Sequence, residues 1–359
     1  MLEPYTTTVV GAYSVPRWYE VLEKQVEVGA LSKDDMADAQ WRAGQGAIAD
    51  QEAAGIDVLN GGEMHRRMNN RHAPPNAMLN FFWVRLPGYK KDPTAEYGLE
   101  TRPMPITPKD EKVFHPSAVV TDRITYGDMG LVEEFNFVSK YAKDPDSVKV
   151  TVTGPHMLAK ASHDEYYGDL NQMMDDLAKV INQNLKELVA AGCKHVQIDE
   201  PLFMVGGSSR EEVEHGIEAV NQAFEGVNAT KWQHICQGNY AVGEHYDGQI
   251  GHRYFDVEGY RADLIGRIDC DIIMNEGDKT PEYQGNLRNQ QLAIGVADVL
   301  SLDVEKPEQI VERVKTWGSW LPKEQTLLTT SCGLNHLPRE IAQGKLTAIA
   351  AGRDLLRRG

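Results

Sequence analysis

Eight short apolar runs, rich in β-branched residues and bounded by glycine or proline, recur along the chain at residues 6–10, 56–60, 148–153, 195–198, 232–236, 271–275, 292–299 and 326–330. Runs of this length and composition read as strands. Amphipathic stretches separate them. Within residues 170–191, Met173, Leu177, Val180, Ile181, Leu185 and Leu188 return every three or four positions, which makes one face of a helix apolar. Helical patterns also cover 33–54, 210–224, 307–320 and 338–356. Strand and helix in alternation require parallel strands, because each helix carries the chain back to the edge from which the next strand starts. Eight such units close a TIM (β/α)8 barrel, and an open doubly wound sheet is the other arrangement that the count allows. A chain of 359 residues, 41% of them hydrophobic, is expected to form one barrel domain over 1–359. Residues 64–147 break the alternation. They are rich in Pro, Asn, Arg and Tyr, and a long insertion after the second strand, with a hairpin in it, is expected to lie over the barrel mouth.

A formal net charge of -16 argues against a surface that tracks phosphates, so neither nucleic acid nor an anionic membrane is an expected partner. The N-terminal residues show no basic stretch leading into an apolar one, and no run approaches the roughly 18 apolar residues of a membrane span. A cytoplasmic protein is expected. Four cysteines, Cys193, Cys236, Cys270 and Cys332, are too few for a disulfide framework in a chain of this length, leaving metal binding, nucleophilic chemistry or burial.

Barrel strands end at the catalytic face, so the polar residues that close them are informative. The second strand runs into Gly62-Glu63, the fourth into Asp199-Glu200-Pro201, the fifth into His234-Ile235-Cys236, the sixth into Asn275-Glu276 and the eighth into Ser331-Cys332. His234 and Cys236 stand two apart and point the same way from a strand. Alone, that pair is a weak signal, since a buried histidine beside an inert cysteine is common. Cys332 and Glu276 at the same end of two other strands complete a set of two thiolates, an imidazole and a carboxylate, which suits Zn2+ in tetrahedral coordination. Cys193 precedes its strand and Cys270 begins one, so both are expected to pack at the opposite face. Asp199 and Glu200 have a second reading as helix caps. The basic run Arg66, Arg67 and Arg71, with His65 and His72, reads as a solvated loop, with a substrate carboxylate or sulfonate as the other possible partner. His156 and Lys160 carry no assignment.

At these residues the chain resembles the C-terminal catalytic half of cobalamin-independent methionine synthase. The resemblance rests on Val10-Gly11, Gly55-Ile56-Asp57-Val58-Leu59 with Gly62-Glu63, Thr153-Gly154-Pro155, Gln197-Ile198-Asp199-Glu200-Pro201, His234-Ile235-Cys236, Glu276 and Ser331-Cys332-Gly333-Leu334, in the family's order. It implies a zinc-dependent thiol methyltransferase acting on homocysteine, with His234, Cys236, Glu276 and Cys332 as ligands. It also implies that Glu63 and Asp199 hold the substrate ammonium, that Gly11 and Ala12 line the substrate site, and that Glu276 and Asp199 take catalytic parts, Glu276 as the ligand a thiol displaces. The family's serine after the first-strand glycine is Ala12 here, and its seventh-strand histidine corresponds to Leu300. The family's second, N-terminal barrel has no counterpart in these residues, so a short single-barrel member is expected, with folate or a methylated corrinoid protein as methyl donor. Two other readings share the ligand set: a zinc enzyme joining a thiol such as coenzyme M to an epoxide, and a non-catalytic zinc-binding barrel.

Overall fold

Six parallel strands, each hydrogen-bonded to the next, make up most of a ring: Lys149–Thr153, His195–Asp199, Thr230–His234, Ile272–Glu276, Gln291–Ala297 and Thr326–Thr330. Two N-terminal segments close it. Thr7 bridges Leu328, Thr8 bridges Val58 and Leu59 bridges Val148, all in parallel sense. The backbone follows suit, with Thr8 N donating to Leu328 O at 2.9 Å, Val58 N to Thr7 O at 2.9 Å and Lys149 N to Leu59 O at 2.8 Å. The fold is therefore a (β/α)8 barrel. This computed structural model describes residues 1–67, 78–91, 100–103, 114–204, 208–236 and 261–359.

Strands covered on both faces must be apolar on both, which is why they read as continuous runs. Side chains facing the barrel axis, among them Val10, Val58, Trp232, Ile272, Met274, Ala293 and Leu327, form an inner core. A larger cluster fills the layer between strands and helices. Helix Leu170–Ala190 is capped by Asp169, whose side chain accepts from Asn171 N, and it buries Met173, Leu177, Val180, Ile181, Leu185 and Leu188 as the periodicity predicts. Each such side chain contributes roughly 1.5–3 kcal/mol. Helix Lys33–Ala54 starts in a capping box between Ser32 and Asp35 and stops at Gly55, whose φ of 83° belongs to the left-handed region open to glycine.

The insertion holds the expected hairpin, Glu100–Pro103 antiparallel to Phe114–Ser117 with Glu100 opposite Ser117. It ends earlier than its composition suggests. Helix Leu131–Tyr141 packs on helices Lys33–Ala54 and Leu170–Ala190 and serves as the barrel helix after the second strand. Leu131, Phe135 and Val138 have the right spacing, but the buried face also carries Glu134, which interrupts the apolar stripe. Among the described residues no helix is long and apolar enough to cross a membrane.

Candidate metal centre

Parallel strands deliver their closing residues to one mouth. Asp199 and His234 are direct partners in the register of adjacent strands. Cys236 lies two residues beyond His234, and Cys332 two beyond the end of Thr326–Thr330. One potential ligand atom from each of His234, Cys236 and Cys332 lies within 4.8 Å of the others, and the two sulfurs are 3.4 Å apart. In a tetrahedron with Zn–S bonds of about 2.3 Å, two sulfurs stand roughly 3.8 Å apart, so small movements suffice.

The imidazole is oriented from behind. His234 Nδ1 lies 2.9 Å from Asp199 Oδ1, and the same oxygen accepts from Gln197 Nε2 at 2.7 Å, which in turn donates to Val10 O at 2.8 Å. A proton held on Nδ1 leaves the lone pair on Nε2, and His234 Nε2 is buried without a hydrogen-bond partner. Burial works against a charged imidazole here, but the hydrogen bond to Asp199 and the adjacent Cys236 sulfur overcome it and lift His234 to about 10. The local field thus favours a cation. An orphaned ring nitrogen, two adjacent sulfurs and that field fit a soft divalent metal such as zinc. The strand Ile272–Glu276 brings the Glu276 backbone to the same end, paired with Gly295, while the Glu276 side chain lies outside the described residues.

Glu63, just after the second strand, adopts a left-handed backbone conformation, φ 58°, uncommon for a residue with a side chain. Its Oε1 accepts from Thr151 Oγ1 at 2.5 Å and from Arg66 Nη1 at 3.3 Å. A Cβ on Gly11 would lie 2.5 Å from that oxygen, so only glycine permits the approach. Ala12 abuts the turn after Cys332, its carbonyl accepting from Leu334 N at 2.8 Å. Glu200 parts company with its neighbour Asp199. It is fully buried, accepts the backbone N–H groups of His156 and Met157 at 2.8 and 2.9 Å, and burial drives its carboxyl well above the usual range.

The described part of the basic run, His65 to Arg67, is not a solvated loop. Arg66 is 2% exposed and ion-paired with Glu63 and Glu134, Arg67 meets Glu23 at 3.4 Å, and His65 stacks on Trp41 with centroids 4.6 Å apart. Burial between two carboxylates outweighed the surface reading of three nearby arginines. Arg71 and His72 lie outside the described residues. His156 and Lys160 both contact Glu212, each at 2.6 Å. Cys193 and Cys270 are buried, Cys193 donating to His195 O at 3.2 Å, and burial pushes the Cys193 thiol up to about 12 and the Cys270 thiol higher than its ordinary value. Sequence reasoning gave no role to Gln197, Thr151, Glu134 or Lys149. Gln197 had a usable signal, since it stands two before Asp199 and so shares its face of the strand.

Residues 5–352 match the family model described as the catalytic domain of cobalamin-independent synthase. The methionine synthase of Saccharolobus solfataricus is 31% identical over 352 residues, which is 98% of this chain and 94% of that one. The methionine synthase of Thermococcus kodakarensis is 29% identical, again over 352 residues, 98% of this chain and 93% of its own. Among solved structures, a B12-independent methionine synthase from Shewanella sp. W3-18-1, in complex with selenomethionine, superposes with a TM-score of 0.78 at 21% identity, covering 99% of this chain and 98% of that one. A putative vitamin-B12 independent methionine synthase from Listeria monocytogenes superposes at 0.73 and 16% identity over 99% of both chains. These two structures share the fold.

Proposed function

The chain belongs to the cobalamin-independent synthase family, matching its catalytic domain almost from end to end, and from that premise we propose that it transfers a methyl group to the thiol of homocysteine, giving methionine, with zinc as its metal. The observation that carries this reading is the convergence of His234, Cys236 and Cys332 within 4.8 Å at the barrel mouth. These three residues would hold the zinc, with Glu276 as the proposed fourth and weakest donor. An ordinary thiol, with a pKa of ~8.5 or above, is mostly protonated at neutral pH, and zinc supplies the charge that keeps a substrate sulfur as thiolate.

The remaining work falls to the chain's own side chains. Asp199 holds a proton on His234 Nδ1 and so leaves Nε2 as the nitrogen that can ligate the metal. Thr151 and Arg66 fix one oxygen of Glu63, whose charge attracts the ammonium of an amino-acid substrate through a charge-assisted hydrogen bond. His234 and Cys236 are 4% and 6% exposed, so little water competes with the substrate sulfur. Arg66 and Arg67 already have carboxylate partners, which ties up two of the cations that a sulfonate-bearing thiol could have used. We take residues 1–359 as one catalytic barrel, and the methyl donor as a folate or a methylated corrinoid protein.

The test joins zinc analysis of the purified protein to X-ray absorption at the zinc edge with homocysteine, coenzyme M and glutathione in turn. An added sulfur ligand with homocysteine, and methionine formed from methyltetrahydrofolate or methylcobalamin, is the expected result. A protein without zinc, or one whose zinc accepts coenzyme M and ignores homocysteine, overturns the reading.

A further inference from the structure

Arg66 is a guanidinium in the interior, 2% exposed, with the rings of Phe82 and Phe81 at 5.2 and 5.8 Å. A cation taken out of water costs several kcal/mol unless it is closely paired, and well-packed apolar residues often replace such pairs without loss of stability. Its retention in this place therefore calls for a reason beyond packing.

The pairing is asymmetric. Nη2 donates to Glu134 Oε2 at 2.5 Å and to Thr151 O at 2.6 Å, whereas Nη1 donates to Thr151 Oγ1 at 3.0 Å and reaches Glu63 Oε1 only at 3.3 Å. The short helix Met64–Arg66 turns Arg66 back onto Glu63 three residues earlier. With both carboxylates ionised, one cation between them leaves the trio with a net charge of -1; burial lifts Glu134 to about 7, and the Arg66 guanidinium opposes that rise. Arg66 and Glu134 have side chains 2% and 1% exposed, against 13% for Glu63, so of the three it is Glu63 that reaches toward solvent. The tighter contact with Glu134 takes up most of the Arg66 charge, and the uncompensated negative charge remains on Glu63. If Glu134 were neutral, the guanidinium would turn its full charge on Glu63 and cancel its pull on a cation.

We infer that Arg66 and Glu134 form a positioning pair for Glu63, holding its carboxylate in place while leaving it charged, and thereby set a preference for thiols that carry an ammonium group. The inference rests on the proposed reading of Glu63 as the ammonium partner.

The test compares homocysteine with 4-sulfanylbutanoate, the same thiol without its amine, in the zinc-loaded wild type, Glu134→Gln and Arg66→Lys. The wild type is expected to prefer homocysteine. In Glu134→Gln the preference, as a ratio of kcat/KM, should fall about ten- to hundredfold, the worth of one charge-assisted hydrogen bond, with the loss in the KM for homocysteine. Arg66→Lys keeps the charge but loses the fork, and should lower the ratio in the same way. Zinc content and Tm establish that each variant is folded. A folded Glu134→Gln or Arg66→Lys with the wild-type ratio overturns the pair alone. A wild type that does not discriminate between the two thiols overturns the ammonium reading of Glu63, and the pair with it.

Discussion

Asp199 Oδ1 stands 2.9 Å from His234 Nδ1, and the two residues face each other across adjacent strands. Asp199 therefore orients the ring that would ligate the proposed zinc. Its replacement by Asn keeps the shape and loses the charge that sustains the imidazole as a donor. Changes to such outer partners typically weaken metal binding by about 10–100-fold. Asp199→Asn should show that loss in competition with a chromogenic chelator. Equal zinc affinity in variant and wild type would show that the hydrogen bond orients nothing of consequence.

Metal removal follows from the same geometry. The sulfurs of Cys236 and Cys332 stand 3.4 Å apart, and thiols ligate a metal as thiolates, so metal uptake releases protons. Dialysis against a chelator should abolish methyl transfer and lower Tm, and added zinc should restore both. Zinc at a thousand times its Kd stabilises the folded state by about 4 kcal/mol. Calorimetry with and without zinc checks it, and an unchanged Tm would count against a site built into the fold.

Gly11 makes a sharper case, because space alone decides it. A methyl group there would meet Glu63 Oε1 at 2.5 Å, well inside van der Waals contact. Gly11→Ala should displace the carboxylate that Thr151 and Arg66 hold, raising the KM for homocysteine about tenfold or more, as expected when one charge-assisted hydrogen bond is lost. Circular dichroism and Tm would confirm the fold, and an unaltered KM would place Glu63 outside the substrate contacts.

The barrel was legible because its strands are buried on both faces and its helices on one, which leaves two distinct periods in the residues. The ends of the strands were legible for a related reason. A polar residue closing an apolar run is conspicuous, and parallel strands send all such residues to one mouth, as His234, Cys236 and Cys332 show. What escaped was polar residues inside the apolar pattern. Glu134 hid a helix by standing on its buried face, and Arg66 read as one more charge in a basic run although its partner Glu63 lay only three residues away. A buried ion pair joins residues distant in sequence, here Arg66 and Glu134, and no local period records it.

Lys149 offers the last prediction. It begins a barrel strand, is 0% exposed, donates to Val9 O at 2.7 Å and lies over the Trp232 ring at 4.7 Å. Burial lowers its pKa, and the opposing pull of Asp199 and Glu63 is too weak to prevent a fall to about 7. In the unfolded chain the group titrates near ~10.4. Between these two values the unfolded state holds a proton that the folded state has lost, so wild-type stability rises with pH across that window. Below pH ~7 both states are protonated, and the folded state bears the full burial cost of the charge, a penalty of order several kcal/mol for a shift of this size. Lys149→Met removes the titration and the hydrogen bond to Val9 O, which keeps only the longer one from Thr8 Oγ1, a cost of about 1–3 kcal/mol that does not depend on pH. Relative to the variant, the wild type should therefore gain stability as pH is raised from about 6 to about 9. Urea unfolding at several pH values reads the difference directly, and a difference flat over that range would mean that the buried amine keeps one charge state throughout.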